Sequence, residues 1–236
     1  MLGLPDAMTV ALFDLDGVLT STAVLHRNAW KQAFDAFLSE RDPDGFDEFT
    51  EQDYLDYVDG RRREDGVRAF LHSRQIDDVP AETLAAIGEG KNELFTATLE
   101  RDGVDPYPGS VRYLKAARQA GLRIAVVTSS KNGAAVLDAA GLSEYVEVRV
   151  DGLETASRGL PGKPAPDSFL LGAELMGVTP AGAVVFEDAI SGVEAAVAGK
   201  FGYVVAIDRV GGGQADAMRA AGADVVVNDL DELLPA

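Results

Sequence analysis

The chain contains no cysteine and only two histidines, His26 and His72. The first absence excludes disulfides, thiolate nucleophiles and every zinc site built on sulfur. The second rules out a site with three histidine ligands. Positive charge is also scarce, with 21 basic residues against 39 acidic ones, so 21 − 39 gives a net charge of −18. A field of that sign opposes binding to nucleic acid through bulk charge, and opposes docking on an anionic membrane. No apolar run approaches the ~20 residues of a membrane helix. The first ten residues, MLGLPDAMTV, carry an acid and no basic cluster, so no secretory signal is expected and a cytoplasmic location is. Catalysis, if present, must rest on carboxylates, hydroxyls, lysine and arginine.

What remains is a chain built to bury a core. Apolar residues make up 47% of its 236 positions, enough for one large domain or a domain carrying an insert. Apolar, β-branched runs at residues 9–13, 122–127, 183–186, 203–207 and 224–227 are continuous rather than alternating, as strands buried on both faces are. Alanine-rich helical patterns lie between the later runs, at 110–120, 133–140 and 192–198. Strand alternating with helix implies a doubly wound, Rossmann-like parallel sheet.

Residues 24–101 break that rhythm. They contain no strand-like run, only apolar spacing of the helical kind at 28–38, 63–72, 81–87 and 92–99. The expected organisation is an α/β core of residues 1–23 and 102–236, interrupted by an all-helical cap over 24–101.

Ligands of open α/β sheets bind beyond the carboxyl ends of the strands, and four of the five runs end in Asp14, Thr128, Glu187 and Asp208. The sharpest group is Asp14-Leu15-Asp16-Gly17. Asp14 could attack a phosphoryl group as nucleophile, with Asp16 as general acid and base. Asp-Gly after a strand is also an ordinary turn. Thr128 could donate to a phosphate oxygen or cap a helix. Lys163, in a loop stiffened by Pro164 and Pro166, could neutralise phosphate and the Asp14 carboxylate, or simply be a solvated lysine. Glu187 and Asp188, paired at a strand end, would repel unless a cation such as Mg2+ lay between them, or would favour a helix N-terminus.

In this order the four groups resemble the motifs of the haloacid dehalogenase superfamily of phosphotransferases, over essentially the whole chain. The resemblance implies that Asp14 is the nucleophile and Asp16 the acid/base. It also implies Mg2+ held by Asp14, the Asp16 backbone carbonyl and an acid of the Glu187-Asp188 pair, with Asp188 favoured. The helical segment is similar to the cap of the β-phosphoglucomutase-like subgroup. Thr22 and His26 follow Asp16 at that subgroup's spacing. Gly60-Arg61-Arg62-Arg63 matches its cap substrate loop, with Arg63 on the arginine that clasps a distal phosphate. Lys91-Asn92 matches a pair beside the sugar, and Ser130-Lys131-Asn132 a core loop on the phosphate side. Two positions depart from the pattern: Ser21 stands where the subgroup usually has Asp, and Asp59 where a cap lysine can occur.

The resemblance implies Mg2+-dependent transfer through an aspartyl-phosphate, interconverting β-glucose 1-phosphate and glucose 6-phosphate. A sugar-phosphate phosphatase is the alternative within the same chemistry, and a non-catalytic binding module a more distant one. The expected partner is a small sugar phosphate, with neither nucleic acid nor membrane, and a monomer is favoured. His72 is expected at the surface, Gly211-Gly212-Gly213 as a connector, and residues 152–161 as a loop.

Overall fold

The computed structural model describes residues 2–235. Six parallel strands form one sheet in the order β3-β2-β1-β4-β5-β6: β1 (Val10–Phe13), β2 (Arg123–Val127), β3 (Val148–Val150), β4 (Ala183–Glu187), β5 (Tyr203–Ile207) and β6 (Val225–Val227). The four central strands, β2, β1, β4 and β5, bury both faces, since residues alternate across the pleat. Ala11 and Phe13 point into one hydrophobic layer with Tyr113 and Phe186, while Val10 and Leu12 point into the other with Phe169 and Val185. The Phe13 and Phe186 rings stack at 4.3 Å across the central β1–β4 pair. The chain winds outward from β1 to β3, then returns to the middle and winds outward from β4 to β6. The switch point lies between β1 and β4, where open sheets bind their ligands.

The helices are α1 (Thr22–Arg41), α2 (Glu51–Asp53), α3 (Arg63–Ser73), α4 (Ala81–Asp102), α5 (Pro108–Gln119), α6 (Gly133–Ala139), α7 (Gly152–Ser157), α8 (Asp167–Leu175), α9 (Ile190–Ala198) and α10 (Gln214–Ala220). The first four, with a π-helical turn over Tyr54–Val58, form an all-helical insert between β1 and β2 around its own cluster of Trp30, Phe34, Phe49, Phe70 and Ile87. α1 begins at Thr22 and α4 ends at Asp102, so the boundaries expected near 23 and 101 both fall inside helices. The patterns at 81–87 and 92–99 belong to one helix, because Gly88 and Gly90 are tolerated within α4.

Two further expectations change. The sixth strand, β3, is three residues long at the sheet edge with Arg149 facing solvent, too short and too polar for a buried run. The expected loop at 152–161 begins as α7. Its N-cap, Asp151, accepts hydrogen bonds from the amides of Leu153 at 2.9 Å and Glu154 at 3.0 Å. Among the described residues, no helix is long and apolar enough to cross a membrane.

Phe34 is fully buried, with Phe70 at 4.3 Å and Trp30 and Phe49 each at 5.0 Å. Phe34→Ala should therefore cost about 3–5 kcal/mol in urea denaturation. A loss below about 1 kcal/mol would mean that the insert is not held by this cluster.

Candidate active site

The loops after β1, β2 and β4 meet at the switch point. Register carries Phe13 beside Phe186, so Asp14 follows β1 where Glu187 ends β4, and the Asp14 amide donates to the Phe186 carbonyl at 2.9 Å. Lys163 reaches across from the loop before α8. Its ammonium donates to Asp14 Oδ1 at 2.6 Å and to Glu187 Oε1, and the side chain is wholly buried. Burial would push the lysine down, but Asp14 and Glu187 outweigh it and hold its pKa above the ordinary range. Burial pushes Asp14 up to about 8 against the pull of Lys163, with Glu187 and Asp16 adding to the rise.

Glu187 needs separate treatment because it stood among the expected metal ligands. One of its oxygens takes Lys163, and the other accepts the Ala189 amide at 2.9 Å. A Cβ at Gly192 would overlap its carboxylate, so the group is boxed in. In this structure Glu187 anchors Lys163, with both of its carboxylate oxygens already occupied. Asp188 takes the open position: it lines the cavity, and its carboxylate packs so closely on Gly17 that a Cβ there would overlap it. Gly17, at φ +87°, is also in the left-handed region.

Asp16 turns toward the insert. Its carboxylate accepts from Thr22 Oγ1 at 2.5 Å and Thr128 Oγ1 at 3.2 Å, and its amide donates to Asp14 Oδ2 at 3.0 Å. His26 Nε2 lies 3.3 Å from Asp16 Oδ1 but is too poorly aligned for a hydrogen bond, which leaves that buried nitrogen without a partner. Burial opposes ionisation of Asp16, yet His26, Thr22 and Lys91 outweigh it and hold the carboxyl below its usual range. His26 is itself lowered by burial and by the Lys91 ammonium, against the pull of Asp16. Lys91 contacts His26 Nδ1 and lies over the rings of Trp30 and Phe95, and burial brings its pKa to about 7.

A cavity opens above these groups, lined by Asp14, Asp16, His26, Gly60, Arg63, Lys91, Thr128, Ser130, Lys131, Asn132 and Asp188. At its far side Arg63 donates to Glu89 Oε2 at 2.8 Å and to Asn92 Oδ1 at 2.7 Å, and Asn132 Nδ2 donates to the same Asn92 oxygen at 2.9 Å. Lys131 instead pairs with Glu64 at 2.7 Å, while Ser130 Oγ accepts the Asn132 amide at 3.2 Å. Thr22, Asn92 and Lys163 stand behind the lining and hold residues that form it. Of the four strand-end residues, Asp14 and Thr128 line the cavity and Glu187 lies buried behind it, while Asp208 accepts the amides of Val210 and Gly211 as a turn residue.

Mg2+ fits this donor set in one respect. Asp14 is pushed up to about 8 and Asp188 well above its usual range, chiefly by burial and then by neighbouring acids, so a hard cation would relieve both. Among the described residues no three acidic or histidine side chains already converge as a metal cluster. The set implied by the motifs needs only two side chains and a backbone carbonyl.

The family model of the haloacid dehalogenase-like hydrolases matches residues 8–200. This chain belongs to that family. It is 51% identical to a beta-phosphoglucomutase of Mycobacterium tuberculosis, over 99% of this chain and 94% of that protein. It is 31% identical to hexitol phosphatase A of Escherichia coli, over 94% of this chain and 91% of that protein. Among solved structures, CbbY from Rhodobacter sphaeroides in complex with phosphate is similar over 96% of both chains, with a TM-score of 0.75 and 27% identity.

Other residues of this haloacid dehalogenase-like site had no motif to announce them. Trp30, Tyr54 and Asp59 line the cavity. Ser129 and Ser191, from the core, donate to the carbonyls of Gly60 at 2.7 Å and Asp59 at 2.9 Å in the insert. Arg209 Nε donates to the Gly17 carbonyl at 3.1 Å and its guanidinium lies 3.8 Å over Tyr107, steadying the loop that carries Asp16. One local signal did exist: Thr50 and Asp53 form a capping box, which marks the helical turn that carries Tyr54.

Lys163→Met should destabilise the fold by about 3 kcal/mol near pH 8, since it leaves buried acids without a counter-charge. Asp14 already has a raised pKa, so its contribution is present at low pH and lost as pH climbs through about 8. Removing its one attractive partner must raise it further. Urea denaturation should therefore show a smaller penalty at pH 5.5 than at pH 8, and a penalty that grows on acidification would contradict this account.

Proposed function

We propose that this chain is a β-phosphoglucomutase that interconverts β-glucose 1-phosphate and glucose 6-phosphate through an aspartyl-phosphate on Asp14. The reading is carried by one observation: a single cavity is lined both by Asp14, Asp16 and Asp188 and by a braced arginine, Arg63. A mutase must hold a sugar bisphosphate at both ends. The 51% identity to a protein of that name supports it.

Asp14 attacks phosphorus through one carboxylate oxygen while the bond from phosphorus to the departing oxygen breaks, and Asp16 gives that oxygen a proton. In the return step Asp16 takes a proton from the sugar hydroxyl, whose oxygen attacks the phosphorus and frees Asp14. Lys163 steadies the Asp14 carboxylate and offsets phosphate charge, and Thr128 donates a hydrogen bond on the phosphate side. Mg2+ held by Asp14, the Asp16 backbone carbonyl and Asp188 would screen the charge on the transferring group. Thr22 and His26 orient Asp16, with Lys91 behind His26. Arg63, set by Glu89 and Asn92, offers a planar fork to the distal phosphate. Lys91 and Asn132 face the sugar, with Asn92 behind them holding Asn132 and Arg63, while Ser130 and Lys131 lie on the phosphate side. The helical insert acts as a cap, and its Gly60 loop closes on the core to exclude water and favour transfer to sugar over hydrolysis. The chain works as a monomer in the cytoplasm, with no nucleic acid or membrane partner.

The same core would serve a phosphatase, a reading favoured by the likeness to hexitol phosphatase A. Incubation with β-glucose 1-phosphate, Mg2+ and a trace of glucose 1,6-bisphosphate should yield glucose 6-phosphate in excess over free phosphate. Dominant free phosphate would overturn the mutase reading. Arg63→Ala should lower kcat/KM for the sugar on the order of 100-fold, and hydrolysis of a small aryl phosphate far less. Equal losses would mean that no distal phosphate is gripped there.

A further inference from the structure

Four acids line the cavity, and three have work already described. Asp14 is paired with Lys163, and Asp16 is held by Thr22, Thr128 and His26. Asp188 is the acid left open for the metal. The fourth, Asp59, comes from the insert and stands where the β-phosphoglucomutase-like pattern admits a lysine. Among the described residues it makes no ion pair. Its near neighbours include the Tyr54 hydroxyl and the acids Glu187 and Asp16, with Lys163 the one cation that favours its charge.

Its position is fixed by the backbone. Ser191 Oγ donates to the Asp59 carbonyl at 2.9 Å, and Ser129 Oγ to the next carbonyl, that of Gly60, at 2.7 Å. Gly60 has φ +70°, and a Cβ there would overlap Ser191 and Ala189. Two successive peptides of the insert are thus docked on the loops after β2 and β4, next to Asp188 and Thr128. Asp59 thus enters the cavity near Glu187, Lys163 and Asp16, the groups of the reacting end.

A carboxylate in an enclosed site needs donors, because one left unsatisfied costs the full desolvation of the group. An ionised carboxylate has about four acceptor positions. The Tyr54 hydroxyl can fill one of them and no protein cation fills the rest. The substrate of the proposed reaction is rich in the missing chemistry, since the C2 hydroxyl neighbours the C1 oxygen and the C4 hydroxyl is the nearest to the C6 oxygen. We infer that Asp59 is a specificity-determining residue whose carboxylate accepts hydrogen bonds from the sugar hydroxyls beside the reacting oxygen. The inference rests on the sugar-phosphate reading of this site, and holds whether the phosphoryl group ends on sugar or on water. A lysine here would add to the grip on phosphate. An aspartate repels phosphate, so this site reads the sugar ring with Asp59 and leaves the distal phosphate to Arg63.

The test uses the full-length protein with Mg2+ and a trace of glucose 1,6-bisphosphate. Total turnover, isomer plus free phosphate, is measured for β-glucose 1-phosphate and for its 2-deoxy and 4-deoxy analogues, with acetyl phosphate hydrolysis in parallel. A mutase takes its sugar in both orientations, so the two analogues probe the hydroxyls next to each reacting oxygen. Wild-type kcat/KM should fall on the order of 100-fold for at least one analogue, because a site built for a hydroxyl rejects the ligand that lacks it. In Asp59→Ala that discrimination should shrink to within about threefold, and Asp59→Asn, which retains an acceptor, should recover part of it. The sugar must lose much more than acetyl phosphate does in both variants. No discrimination by the wild type, or discrimination that survives in both variants, overturns the inference. So does an equal loss on acetyl phosphate, or a large drop in Mg2+ affinity by calorimetry, either of which assigns the carboxylate to the phosphoryl end. Failure of the mutase reading shows separately, as free phosphate in place of isomer, and leaves the hydroxyl ratio to decide on Asp59.

Discussion

Lys163, wholly buried between Asp14 and Glu187, is the interaction on which the rest of the site depends. A lone carboxylate at the end of a dry strand would be neutral and a poor nucleophile, and a lone lysine there would be just as costly. Lys163 donates to both carboxylates, and their nearby charge in turn outweighs the burial of the lysine. The sheet register makes the arrangement possible. Parallel pairing of β1 with β4 brings Asp14 and Glu187 side by side, and the loop before α8 delivers the lysine between them. Glu187 consequently has a structural duty that leaves Asp188, the next residue, free to face the cavity.

The second constraint is that the insert must meet the core without filling it. Around the Gly60 loop the insert meets the core through two carbonyls that accept from Ser129 and Ser191, and through Arg62 on the Leu160 carbonyl at 2.7 Å. Lys131–Glu64 and Asn132–Asn92 add side-chain contacts. Such bonds are modest singly, about 1 kcal/mol each, so the docked state can release when a sugar must enter or leave. Inside the cavity the charges are divided. Acids and Lys163 crowd the strand ends, whereas Arg63 stands across from them. The net charge of −18 is therefore no obstacle to an anionic substrate, since the cations that matter are local and held at fixed points.

Much of this was legible in the sequence. Continuous apolar runs gave five of the six strands, and acids or hydroxyls at their ends marked the cavity before any geometry was available. β3 escaped because an edge strand of three residues with an outward arginine does not look buried. Residues 152–161 read as a loop because the helix start is signalled by the single N-cap Asp151. The resemblance favoured Asp188 over Glu187, but the physical reason lies in three-dimensional packing, which turns one toward Lys163 and the other toward Gly17. The roles of Ser129, Ser191 and Arg209 were equally hidden. Their partners are backbone carbonyls far away in sequence, and a carbonyl leaves no trace in residue identity.

The central claim is that Asp14 carries the phosphoryl group between the two halves of the reaction. The direct measurement is to mix the protein with glucose 1,6-bisphosphate and Mg2+, quench in acid within milliseconds, and map the modified peptide by mass spectrometry. Acid preserves an acyl phosphate long enough for this, and borohydride reduction fixes the site. The account predicts one phosphoryl group on Asp14, and none after Asp14→Asn. A phosphoryl group on any other residue, or turnover without a covalent intermediate, would contradict it.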